Sequence, residues 1–330
     1  MKKNIFTFTV LLILIKIVPI AYADDLNIDM LVLKSLLSED NKHLDCITEH
    51  GFSTCIDKNF QPYTGGVSSR YSNGNLAIIG QTKDGKKDGL WKTYYENGQL
   101  KYEAYWSDGK QEGKAQAYYE NGKLAYEENY QDGKLNGVKL DYYDTGFIKA
   151  EGHFKNGLLD GLLTTYYTNG KIEMEINNKE GKLDGTTKKY DENGKLQAEM
   201  NYRNDKLHGV FKSYYSNGCI AIEESYKNGK KEGSSKKYYL NGRIKSEWIF
   251  NDDKENGIAK EYYPNGVIQH IGNFKNGKID GIFKSYYENG QVATIENYKN
   301  GQENGTFRAY DSYGRLVRVN EYVNGQLVAY

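Results

Sequence analysis

The sequence predicts an all-β protein: an elongated antiparallel meander of short strands joined as β-hairpins. Three observations predict it. A turn glycine recurs at a fixed spacing of 24 residues, from Gly74 through Gly98 and Gly122 to Gly314, eleven times without insertion or deletion. Each interval holds two runs of about eight residues bounded by turn residues, a length that suits strands and is short for helices. Gly counts 36 and Tyr 31 while Pro counts only 3, a composition suited to strands joined by tight turns. Two strands per copy give about 22 strands. Aromatic residues make up 14% of the chain, so it is not the aromatic-poor composition of a disordered protein.

The elements follow in order along the chain. Residues 1–23 read as a secretory signal peptide. Lys2 and Lys3 precede an apolar run over Ile5–Ile20, and Ala21-Tyr22-Ala23 supplies a small-residue cleavage site. The expectation is an exported protein, periplasmic, cell-surface or extracellular, with no integral membrane segment after signal cleavage. Residues 24–64 read as an N-terminal cap or tether, because the ends of a repeat array need cover. Ile28–Leu37 suits one short helix. Export permits a disulfide, and Cys46 and Cys55 are the candidate pair; Cys219 sits beside a turn and reads as free.

Residues 65–330 form the repeat array. Nine of the eleven glycines follow Asn; Thr145 and Tyr313 are the exceptions. Asn-Gly between strand-length runs predicts a two-residue type I′ turn. A second turn glycine recurs at Gly85, Gly109 and onward to Gly325, replaced by Asp205 and Asp253, and a third, such as Gly89 or Gly113, opens the next unit. With Asn97-Gly98 as the loop, Tyr95 faces Leu100, Tyr94 faces Lys101, Thr93 faces Tyr102, Lys92 faces Glu103 and Trp91 faces Ala104. Alternation then places Trp91, Tyr95 and Leu100 on one face and Lys92, Tyr94 and Glu103 on the other. Opposed Lys and Glu recur as Lys188/Glu199, Lys212/Glu223 and Lys236/Glu247. The copy around Asn178 and Asp191 lacks two of its aromatics and reads as a local weak point.

The pattern G-x-x-x-x-Y-Y-x-N-G-x-L/I-x-x-E-x-x-Y/F-x-N-G-K stands here as GVFKSYYSNGCIAIEESYKNGKKEG from Gly209 to Gly233. It resembles the variant MORN repeat, the kind found in proteins labelled YwqK-family antitoxins, over roughly residues 62–330. The resemblance implies an elongated sheet of β-hairpins without an established catalytic site, and partners that are proteins. By label alone it also implies an antitoxin-like role. The Tyr-rich, Gly-punctuated hairpins are similar, too, to the choline- and glucan-binding repeats of cell-wall proteins, which carry Trp in most copies; only Trp91, Trp106 and Trp248 occur here.

Charge and motifs bound the function. The 44 basic and 44 acidic residues cancel, which argues against a nucleic-acid partner and against a polybasic membrane anchor. The five histidines form no metal-binding spacing, and neither a nucleophile elbow nor a phosphate loop occurs. Residues 251–257, Asn-Asp-Asp-Lys-Glu-Asn-Gly, lack the spacing of a calcium loop and read as a turn. No catalytic, metal or cofactor residues are assigned. The periodic Glu column, from Glu103 to Glu247, gives every copy the same environment, whereas acid–base catalysis uses two carboxylates in different ones. That column turns apolar at Ile271, Ile295 and Val319. These three, with the tyrosines Tyr94, Tyr118, Tyr142, Tyr214, Tyr238, Tyr262 and Tyr286, form the candidate binding surface. The leading expectation is a non-enzymatic scaffold for a protein partner in the envelope or at the cell surface. A glycan or cell-wall ligand on the Tyr/Trp face is the alternative. An outer-membrane barrel has too many charges on both faces, as at Glu128 and Glu224.

Overall fold

The computed structural model describes residues 61–329 and the backbone of two earlier strands, Asp45–Glu49 and Phe52–Ile56. The signal peptide and the helix expected over Ile28–Leu37 lie outside the described residues. Those described are all strand, turn or irregular, and the strands join one antiparallel sheet in which, from Gly65 on, neighbours in sequence are neighbours in space; Phe52–Ile56 pairs through Thr54 with Lys86.

From Gly65 to Ala329 there are 29 strand segments rather than 22. The excess comes mainly from an interruption inside the strand that leaves the second turn. Lys86–Lys87 is separated from Gly89–Tyr94, whereas the equivalent Lys110–Tyr118 runs through. Even there the register jumps, with Trp106 opposite Gln111 but Ala104 opposite Ala115. The third glycine of each unit sits in this bulge. At Gly185 φ is 111°, and a Cβ would stand 3.0 Å from the Cβ of Asn177, so the site excludes any larger residue without rearrangement.

The two turns divide their chemistry differently from the expectation. The Asn-Gly turn is a three-residue loop. Tyr95 N–H donates to the Gln99 carbonyl at 2.8 Å and Gly98 N–H to the Tyr95 carbonyl at 2.9 Å. Only the glycine, at φ 85°, is left-handed. Asn97 instead uses its Oδ1 to accept from Gln99 N–H at 2.9 Å. The type I′ geometry belongs to the second turn, where Asp108 (φ 49°) and Gly109 (φ 79°) are both left-handed. Asp205 and Asp253 hold φ 65° and 66° at the glycine position of that turn.

The three-residue loop shifts the register by one, and a bulge at once restores it. Tyr94 faces Leu100 and Thr93 faces Tyr102, which leaves Lys101 unopposed. The expected pairs Tyr95–Leu100 and Tyr94–Lys101 are therefore replaced, and Leu100 does not join Trp91 and Tyr95 through that register. Beyond the bulge the expected register holds, including Lys92–Glu103 and Trp91–Ala104.

The core of this sheet is thin, and large and small side chains alternate across it. Trp91, 7% exposed, lies between Gly80 and Ala104; a Cβ on Gly80 would stand 2.3 Å from the indole. Ala104, Ala115 and Ile176 are buried along the same face. Successive copies are further tied by side chains at both ends of the strands. Tyr95, Tyr119, Tyr143, Tyr215 and Tyr263 each donate a phenol hydrogen bond to a backbone carbonyl 23 residues on, as in Tyr95–Tyr118 at 2.7 Å. Turn asparagines do the same, as Asn121 Nδ2 to the Asp144 carbonyl at 3.1 Å. At the opposite end, the carboxylate of Glu112 accepts from Asp132 N–H at 2.8 Å, and that of Asp280 from Asn300 N–H at 2.9 Å.

Candidate functional site

Register carries one residue of each long strand into a single row across the charged face. The row starts at Ser68 opposite Ile79, passes to Lys92, and ends at Arg308 opposite Val319. It has three parts. In the first, Glu103, Glu127, Glu151 and Glu175 alternate with the uncharged Gln116, Leu140 and Thr164. In the second, Lys188, Glu199, Lys212, Glu223, Lys236 and Glu247 alternate in sign. In the third, Lys260, Ile271, Lys284, Ile295, Arg308 and Val319 alternate cation with apolar residue.

The opposed Lys–Glu pairs stand where the sequence puts them. Lys92–Glu103 is 3.0 Å apart, Lys212–Glu223 3.6 Å and Lys236–Glu247 3.9 Å. Lys188 and Glu199 are opposed in register without closing to an ion pair. All are partly solvated, so each contributes roughly 0.2–1 kcal/mol, and their larger effect is to fix register.

The tyrosine column of the candidate surface lies on this face, between successive glutamates. Tyr118 donates to Glu103 at 3.2 Å and Tyr262 to Glu247 at 2.8 Å. Burial, then the hydrogen bond to Glu247, pushes the Tyr262 hydroxyl up to about 12. Tyr142 and Tyr238 are likewise raised, first by burial and then by Glu127 and Glu223. Tyr214 and Leu196 line one shallow depression. Tyr94 sits beside Lys92 at the start of the column and Tyr286 beyond Ile271, where no carboxylate stands in the row. The tyrosines are thus spent largely on the face itself, whereas the three apolar residues stand between cations.

Sequence reasoning missed what surrounds those three. Lys284 is flanked in the row by Ile271 and Ile295, and Arg308 by Ile295 and Val319, so neither cation faces an acid across its strands. Ile249, Ile258 and Ile282 are 47%, 53% and 54% exposed; each lies two residues along its strand from Glu247, Lys260 or Lys284, on the same face. The signal was present in the sequence, since 258 and 282 are one period apart.

The opposite face carries different groups. Glu224 is buried, and burial works to raise its pKa. Hydrogen bonds from Lys231, Tyr226 and Ser235 outweigh that and hold the carboxyl below its ordinary value. Lys87 lies over the Trp91 and Trp106 rings at 4.8 and 4.4 Å, and burial lowers its pKa. Rings run in contact from Phe283 through Tyr298 and Phe307 to Tyr322. Before the array, the backbone pairs Cys46 directly with Cys55, the placement that the candidate disulfide requires. Cys219 is free and half-buried. Among the described residues no three His, Cys, Asp or Glu side chains are grouped as metal ligands, and no helix is long and apolar enough to cross a membrane.

A family model described as MORN repeat variant matches residues 87–108, 111–132, 159–178, 183–204, 207–228, 231–252, 255–276 and 279–300, together more than half of the chain. The glycine spacing counts eleven copies and the family model eight. The three unmatched copies are those around Gly74, Gly146 and Gly314, where Arg70 replaces Tyr and where Thr145 and Tyr313 replace Asn. Among curated proteins no match was found. Solved structures similar to part of the chain include the crystal structure of TcdB2-TccC3, at 13% identity and TM-score 0.19, covering 78% of this chain and 16% of that one. The crystal structure of TcdB2-TccC3-Cdc42 is similar at 13% identity and TM-score 0.18, covering 88% of this chain and 18% of that one. The chain thus spans less than a fifth of the length of either.

Proposed function

The chain belongs to the MORN repeat variant family, and from that premise we propose that it is an exported, non-catalytic scaffold that binds a protein partner through the C-terminal end of its charged face. One observation carries the reading. Over most of the row the acids meet a lysine or a tyrosine hydroxyl, but from Lys260 onward the acids are gone and apolar residues stand between cations. Cations set among exposed isoleucines suit an interface whose apolar centre is desolvated and whose charges choose the partner. The hydrogen bonds and ion pairs that Glu103, Glu223 and Glu247 make with facing tyrosines or lysines support a structural role for the column over acid–base chemistry. Export rests on the leader-like residues 1–23.

The aromatic run from Phe283 to Tyr322 on the other face favours a second reading, a glycan ligand stacked on those rings. The antitoxin-like role carried by the YwqK label rests on the resemblance alone. Affinity capture from envelope extracts with residues 24–330 separates these readings. The scaffold reading expects a specific protein that is lost when Ile271→Glu and Ile295→Glu are combined. Recovery of carbohydrate alone, or capture of the same protein by the double variant, overturns it.

A further inference from the structure

Taking the charged face as the interface, we propose that its occupant is a second copy of the chain, packed face to face and antiparallel. The row is the reason. It holds seven glutamates and seven cations, and the order is antisymmetric: acid-rich at the N-terminal end, alternating in the middle, basic and apolar at the C-terminal end. Two copies can present the same face to each other in two ways. With the arrays parallel, glutamates lie over glutamates and Lys284 over Lys284, and like charges oppose along the whole row. With the arrays antiparallel, about a two-fold axis between Glu199 and Lys212, no like charges oppose and most charges meet their opposite. Glu127 then faces Lys284 of the other copy, Glu151 faces Lys260, and Glu175 faces Lys236. In the same register Leu140 comes over Ile271, and Ile295 comes over the uncharged Gln116.

The groups with least satisfaction within one copy gain most. Glu151 is flanked in the row by Leu140 and Thr164, and Lys284 by Ile271 and Ile295. A closed two-fold dimer uses each end of the row once, which a head-to-tail contact would not. Sheets that twist with the same hand can pack aligned. An unrelated acidic partner would need only the basic end; the antiparallel dimer needs both.

Sedimentation of residues 24–330 at increasing protein concentration and at two salt concentrations tests this. The wild type is expected to dimerise at tens of micromolar in about 50 mM salt and to weaken at least about tenfold in 0.5 M salt, where charges are screened within a few ångströms. Glu127→Lys with Glu151→Lys, and separately Lys260→Glu with Lys284→Glu, should each weaken the dimer by about tenfold or more. All four changes together restore opposite signs and should bring association back, which also separates lost contact from lost folding. A wild type still monomeric at 100 µM and low salt overturns the proposal, as does an acid-end variant that dimerises like the wild type. If the wild type is monomeric but capture of a protein still depends on Ile271 and Ile295, the dimer fails and the scaffold reading stands. If neither occurs, both fail.

Discussion

At Tyr215 the phenol reaches one copy forward and donates to the Tyr238 carbonyl at 2.7 Å, while Tyr214 beside it turns to the charged face. The Tyr-Tyr dipeptide is plain in the sequence, but the division of labour is not, because it depends on the bulge that sets which tyrosine faces which side. Tyr215→Phe should cost about 1 kcal/mol, the worth of one part-buried hydrogen bond, and Tyr214→Phe distinctly less; urea unfolding of the two variants checks the order. Glu224 gives a pH dependence. Its folded pKa is depressed, so its contribution is present above the ordinary carboxylate range and is lost as pH falls through the folded value. Glu224→Gln should therefore lower stability at pH 7 and flatten the loss of stability between about pH 5 and 3. Equal acid sensitivity in the two proteins would contradict that linkage.

The hairpin is legible as an element, and its turns only in part. Asn-Gly and Asp-Gly are both hairpin signals, and local preference alone does not say which loop has two residues and which three. The choice is made between copies: Asn121 sits in the longer loop, where its amide reaches the Asp144 carbonyl of the next turn. In the two-residue turn both positions are left-handed, so Gly109→Ala should destabilise by about 1–2 kcal/mol. Asn97→Ala removes an Asx contact and should cost about 1 kcal/mol or less. The weak point expected around Asp191 has a definite cause. Asp191 replaces the clamping tyrosine and spends its carboxylate on its own turn, accepting from Asn193 and Lys195 N–H at 2.9 Å. Hydrogen exchange should be fastest, among the internal turns, at the junction between Tyr190 and Tyr214. Asp191→Tyr should slow it and stabilise the array by about 1 kcal/mol.

Across the whole molecule, the 24-residue period makes the sheet legible without any structure. Columns such as Lys92 and Glu103 can be paired from the period alone, since loop and bulge offset each other. What the period hides is the order of charge along the array. Each glutamate looks alike within its copy, and the surplus of acid near Glu151 and of cations near Lys284 exists only when the strands are laid side by side. The same side-by-side order is what the proposed scaffold surface depends on: one open, continuous sheet. The most direct test is a spin-label distance between Gln116→Cys and Ile295→Cys in one chain, with Cys219→Ser and in high salt. Those positions lie about fifteen strands apart in the row, so a spacing of about 4.8 Å per strand, shortened by coiling, predicts roughly 50–70 Å. A distance below about 30 Å would mean that the sheet closes or folds back on itself, and would contradict the continuous row.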